Sequence, residues 1–189
     1  MRIVNFDMLD LSQNFFELFG LPVSYTIDTS VLHERYRELQ RSVHPDRYAS
    51  ASQQEQRLAM QGSTFINEAF ETLKDPLGRA RYMLRLHGID VDADKETTKD
   101  TAFLMEQLEL REALSEIRQQ ADPLGAVADL VDTVSGKLNR VIHEMETDFE
   151  NPAADKLDAI RENVRKMQFL RKLHQEAESV EAELEEELL

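Results

Sequence analysis

Residues 32–47 read LHERYRELQRSVHPDR. Leu32, Tyr36, Leu39 and Val43 recur at spacings of four, three and four, the period of a helix with one buried side. Arg37 and Arg41 fall on the opposite, polar side together with His44. Pro45 cannot continue that helix, because its nitrogen carries no proton and its ring drives the preceding residue out of the helical region. His44 is therefore expected to leave the helix, and Pro45-Asp46 to form a rigid turn that displays an imidazole and a carboxylate at the end of a basic face. Taken alone, X-Pro-Asp is a common turn in which His44 is merely exposed.

Helices are expected on both sides of this turn. Ser12 is positioned to cap a short helix through Phe15, Phe16, Leu18 and Phe19 that Gly20 and Pro22 stop, and Asp28 to start the helix just described. A third helix, from about Ser52 to Leu73, puts Leu58, Phe65, Ile66, Ala69, Phe70 and Leu73 on one side and ends at Asp75-Pro76. A fourth, Leu77 to Leu86, carries Tyr82, Met83 and Leu86 and stops at Gly88. The polar stretch GIDVDADKETTKD (88–100) has no helical period and reads as a linker. Beyond it, candidate helices over about 100–121, 124–149 and 153–187 are punctuated by Asp122-Pro123 and Asn151-Pro152. No segment alternates with the period of a β-hairpin. The expected fold is all-α, a helical hairpin with flanking helices joined to an antiparallel three-helix bundle.

Charge divides at the same place. Residues 12–87 hold nine basic and nine acidic residues, whereas 88–189 hold twelve and twenty-six. A net charge of -15 over 189 residues argues against a nucleic-acid partner, which would require a basic patch to displace counterions. No apolar run approaches the ~18 residues of a membrane span. With no cysteine, disulfides, thiolate metal sites and a thiol nucleophile are excluded. The N-terminal MRIVNFDMLDLSQNFF lacks the pattern of a targeting segment, so a cytoplasmic location is expected.

The helix over 100–121 carries two apolar faces. Phe103, Leu110, Leu114, Ile117 and Ala121 share one arc, and Leu104, Met105 and Leu108 another, bordered by Glu109, Glu112 and Glu116. The second arc reads either as an exposed Met/Leu docking patch ringed by carboxylates or as the edge of a wide buried arc in the bundle. Phe169 lies off the stripe of Val164, Met167, Leu170 and Leu173, which leaves its ring unassigned to that seam. An enzyme using His44 as general base, oriented by Asp46, would need a pocket and a second catalytic cluster; His33, His87, His143 and His174 are single residues on helices or at a helix end, and no phosphate-binding glycine loop is present.

With these residues in view, 15–76 resembles a J-domain, on FFELFGLP (15–22), LHERYRELQRSVHPDR (32–47) and INEAFETLKDP (66–76). The remainder is similar to the HscB family of J-domain co-chaperones of iron–sulfur cluster assembly, on RARYMLRLHGID (79–90), DTAFLMEQLELREAL (100–114) and RKMQFLRKL (165–173). The resemblance implies a division into an N-terminal extension (1–14), a J-domain with its connecting helix (15–87), a linker (88–99) and a scaffold-binding bundle (100–189). It implies that His44, Pro45 and Asp46, with Arg37 and Arg41, act on an HscA-type 70-kDa heat-shock chaperone and stimulate its ATP hydrolysis. It further implies that Leu104, Met105, Leu108, Glu109, Glu112 and Phe169 hold an IscU-type scaffold protein. No catalytic residue, metal or cofactor is implied for this chain. Two departures stand out: Val43 replaces the aromatic or alanine of many J-domains, and no N-terminal cysteine pair is present, so no metal site transfers. The rival reading is a general J-protein serving DnaK, which predicts a Gly/Phe-rich linker, cysteine repeats or a β-sandwich client domain, none of them visible.

Overall fold

The computed structural model describes residues 12–91, 98, 100–150 and 152–187, and every element among them is helical. In order these are α1 (Phe15–Leu18), α2 (Thr29–Val43), a 3-10 turn (Pro45–Tyr48), α3 (Gln53–Lys74), α4 (Pro76–Leu86), α5 (Thr101–Glu116) with a 3-10 extension (Ile117–Gln119), α6 (Pro123–Glu150) and α7 (Ala154–Glu187). They form two compact units, one up to Met83 and the other from Leu84 onward. Residues 1–11 of the expected extension, and 92–97 and 99 of the expected linker, lie outside the described residues.

In the first unit, local chemistry sets the helix ends. Asn14, not Ser12, caps α1: its Oδ1 accepts the Glu17 N–H at 3.0 Å while the Glu17 carboxylate accepts the Asn14 N–H at 3.0 Å. Only a cap three residues before a Glu can make this reciprocal pair, and Asn14 has that spacing. Gly20, at φ 62°, turns the chain out of α1. Asp28 caps α2 through the N–H groups of Ser30 and Val31. Ser52 and Glu55 repeat the capping box at α3. Those bonds hold the Glu55 carboxyl below its usual range, the Ser52 hydroxyl first and the Ser52 N–H second.

Helices α2 and α3 form an antiparallel hairpin. Tyr36 stacks on Phe70 with ring centroids 4.0 Å apart, and its hydroxyl donates to Asn67 at 2.9 Å. Gln40 donates to the same Asn67 oxygen and accepts from Ser63, so the hairpin carries a polar ladder beside its apolar seam. Helix α1 closes one end: Phe15 stacks on Tyr82 at 4.3 Å, meets Phe65 edge-on at 5.6 Å and donates its N–H to the Tyr82 hydroxyl at 2.8 Å. Buried Arg79 donates to the Leu73 carbonyl at 2.7 Å and lies over the Tyr25 ring.

Along α3 and α4, two expected core residues are exposed. Leu58 is on the expected side of α3, yet the pairings of Tyr36 with Asn67 and Phe70, and of Gln40 with Ser63 and Asn67, show that α2 has ended before Leu58 is reached. Leu86 is the last residue of α4, immediately before the turn that Gly88 makes at φ 76°.

In the second unit, α5, α6 and α7 run up, down and up. The α6–α7 seam buries Val127, Val134 and Met145 on one side and Ile160, Val164, Met167 and Leu173 on the other. Helix α5 adds Phe103, Leu110 and Ile117. Ala121, expected on that stripe, is exposed because regular helix ends at Glu116 and the 3-10 turn at Gln119 changes the period. Polar links fix the register. Lys166 pairs with Asp100 at 2.9 Å, Thr98 donates to Glu162 at 2.7 Å, Lys137 pairs with Glu106, and Arg118 grips Glu183 and Glu187, each at 2.7 Å.

Candidate functional site

The hairpin turn is built from the end of α2. His44 leaves the helix at φ -57°, ψ 131°, and its Nδ1 accepts the Asp46 N–H at 3.3 Å. A neutral ring bonded in this way keeps its proton on Nε2, so the second nitrogen is a donor toward solvent. The His44 side chain is 56% exposed and that of Asp46 90%, with the carboxylate 3.5 Å from Nδ1. Behind the display, the Arg47 N–H bonds the His44 carbonyl at 3.0 Å, Tyr48 donates to the Ser42 carbonyl at 3.1 Å and the Arg47 guanidinium to the Arg41 carbonyl at 3.3 Å. The turn is thus stapled to the helix it leaves, with Pro45 as the first residue of the 3-10 turn.

Arg37 and Arg41 lie exposed on α2, and neither makes an ion pair among the described residues. Arg47 adds a third exposed cation to this face. Sequence reasoning passed over it, although it directly follows the Pro-Asp step.

On α5 the two arcs separate clearly. Phe103 and Leu110 are buried, while Met105 is 55% and Leu108 63% exposed, and Leu104 is half-buried. Glu109, Glu112 and Glu116 are exposed around them. The wide-buried-arc alternative therefore holds only in part, for Leu104. Phe169 is half-buried: its ring meets Phe103 edge-on at 5.7 Å, and the Arg111 guanidinium lies over it at 5.4 Å. Arg111 follows Leu104 by seven residues and Leu108 by three, so Phe169 stands beside the same side of α5 as those leucines. Arg111 was also missed, and that spacing was its signal.

The remaining histidines are not all single. His33 packs edge-on against Phe70, and His143 contacts Glu146. His174 accepts or donates at Nε2 with the Ser135 hydroxyl at 2.8 Å and contacts Glu178 through Nδ1 at 3.1 Å, an order reminiscent of a Ser-His-acid triad. Ser135, however, lies inside α6, where backbone N–H groups are committed to the helix ladder and cannot form an oxyanion hole. The trio links α6 to α7 instead. Among the described residues no group of His, Asp or Glu is placed to hold a metal ion, and no helix is long and apolar enough to cross a membrane.

Comparison with known proteins agrees with this architecture. A family model described as "HSCB C-terminal oligomerisation domain" matches residues 99–178. A protein described as "Co-chaperone protein HscB homolog" from Shewanella amazonensis is 45% identical over 168 residues, covering 89% of this chain and 97% of that one. Among solved structures, chaperone HscB from Vibrio cholerae superposes with a TM-score of 0.80 at 38% identity, covering 91% of this chain and 99% of the other. Human co-chaperone protein HscB does so with 0.81 at 30% identity, covering 89% and 82%. The all-α expectation and the expected resemblance are both borne out. An α2–α3 hairpin whose turn carries His-Pro-Asp, followed by a three-helix bundle and matched over nearly its whole length by these relatives, places the chain in the HscB family of co-chaperones.

Proposed function

We propose that this chain carries an IscU-type iron–sulfur scaffold protein to an HscA-type 70-kDa chaperone and stimulates that chaperone's ATP hydrolysis. In this reading residues 15–87 act as the J-domain, 88–99 as linker and 100–189 as the scaffold-binding domain, working in the cytoplasm. The carrying observation is that one chain displays both an exposed, stapled His44/Asp46 turn and an uncovered Met105/Leu108 patch. His44, Pro45 and Asp46 engage the chaperone, and Arg37 and Arg41 steer the encounter toward an acidic surface, an attraction that weakens with salt. Leu104, Met105 and Leu108, with Phe169 beside them and Glu109 and Glu112 at the rim, hold the scaffold. The apolar centre supplies affinity, and the carboxylates select a basic partner. The chain performs no bond-breaking step. Its contribution is effective concentration, since one tether brings the cluster-bearing client and the ATPase together.

The test is steady-state ATP hydrolysis by the HscA-type chaperone with IscU-type scaffold, with DnaK assayed in parallel. Stimulation greatest with HscA plus scaffold, lost in His44→Gln while scaffold binding persists, is the expected result. Stimulation of DnaK indifferent to scaffold would instead make the chain a general J-protein, and stimulation of neither chaperone would refute the proposal.

A further inference from the structure

Asp100 acts in two directions. As the cap of α5 its Oδ1 accepts the Phe103 N–H at 3.0 Å, and its Oδ2 pairs with the Lys166 ammonium of α7 at 2.9 Å. That ammonium also lies 5.5 Å from the centre of the Phe103 ring. One carboxylate therefore fixes both the backbone of Phe103 and the cation over its ring. Thr98 adds a parallel tie, since its hydroxyl oxygen accepts the Asp100 N–H at 3.1 Å while donating to Glu162, one turn before Lys166 on α7. The Lys166 and Asp100 side chains are 26% and 35% exposed, so solvent screens their attraction less than that of a fully exposed pair.

Phe169 stands at the end of this series of contacts. It follows Lys166 by three residues and lies off the stripe that packs the α7 seam, so the seam does not set its ring. The ring instead meets Phe103 edge-on at 5.7 Å. Phe103 is in the first turn of α5, where helices fray unless something holds them, and the Asp100–Lys166 clamp does so. We infer that Lys166 is a positioning residue for Phe169: pinned by Asp100, its ammonium holds the Phe103 ring, and Phe103 in turn keeps the Phe169 ring in the orientation offered to the scaffold protein. The inference rests on the proposed function and deepens it. A side chain already held in its bound orientation avoids the ordering cost of association, worth a factor of about three to ten in affinity.

Calorimetric titration of the full-length chain with cluster-free IscU-type scaffold protein tests the inference, with circular dichroism alongside. Lys166→Met keeps an aliphatic stem and a good helix former but removes the charge, and should weaken binding about three- to tenfold. Lys166→Arg, which returns a cation to Asp100 and to the ring, should stay within about twofold of the parent. Asp100→Asn can still cap α5 but no longer holds the ammonium, so it should reproduce the loss by a second route if Lys166→Met folds poorly. In a Phe169→Ala background Lys166→Met should cause no further loss, because the ring it positions is gone. Affinities unchanged in Lys166→Met and Asp100→Asn overturn the inference while sparing the proposed function. So does an equal further loss in the Phe169→Ala background, which would make Lys166 a direct contact or a general support of α5. Absence of binding by the unaltered chain overturns both readings.

Discussion

Replacing Met105 and Leu108 together with alanine should separate the proposed scaffold binding from folding, because both side chains are exposed. Alanine is the best helix former, so α5 loses side-chain area without losing backbone preference. Met105 and Leu108 are 55% and 63% exposed, so more than half of each side chain remains available to a partner. Complete burial of such a side chain contributes about 1.5–3 kcal/mol, so the exposed part of the pair should contribute about 2–3 kcal/mol when covered. Scaffold affinity should then weaken roughly 30- to 150-fold, a change readily resolved by calorimetric titration. The fraction already buried on folding is smaller, so the thermal transition should fall by only a few degrees and the helical spectrum should be unchanged. The reasoning is refuted if the double variant binds scaffold as tightly as the parent. It is also refuted if the bundle melts far earlier, because Met105 and Leu108 would then be core residues.

Three further outcomes follow from the packing and electrostatics. Phe16 is completely buried, so Phe16→Ala should destabilise the first unit by about 3–5 kcal/mol, measurable by chemical denaturation. The Asp100 carboxyl is held below its usual 3.8, first by the Lys166 ammonium and then by the Phe103 N–H that it caps. A folded-state value below the unfolded one contributes stability that is present above the unfolded value and lost as pH falls through the folded one. Asp100→Asn should therefore flatten the acid limb of the stability curve below about pH 4, and an unaltered limb would show that the pair contributes nothing. Arg118 is pushed above its ordinary value mainly by its bonds to Glu187 and Glu183. Arg118→Met should speed amide exchange in the last turns of α7 while leaving the Ser135–His174 level protected, and high salt should reproduce part of that loosening.

Much of the fold is legible in residues 12–187 because the signals that end helices act locally. Asp28, Ser52, Asp75-Pro76, Gly88, Asp122-Pro123 and Pro152 mark boundaries through capping bonds, missing donors or a left-handed glycine, none of which requires a neighbour from elsewhere in the chain. The display turn is legible for the same reason, since Pro45 alone forces His44 out of α2. Burial is different. A helical stripe says which side of α3 is apolar but not where α2 stops covering it, so Leu58 was expected inside and lies outside. The two arcs of α5 could not be ranked by pattern, because the number and placement of neighbouring helices decide which arc is covered. Phe169 beside Arg111, His174 between Ser135 and Glu178, and Lys166 over Phe103 all join residues from different helices. Local backbone chemistry can be read one residue at a time, whereas exposure and proximity arise only when whole helices pack, and the candidate surfaces of this chain depend on both.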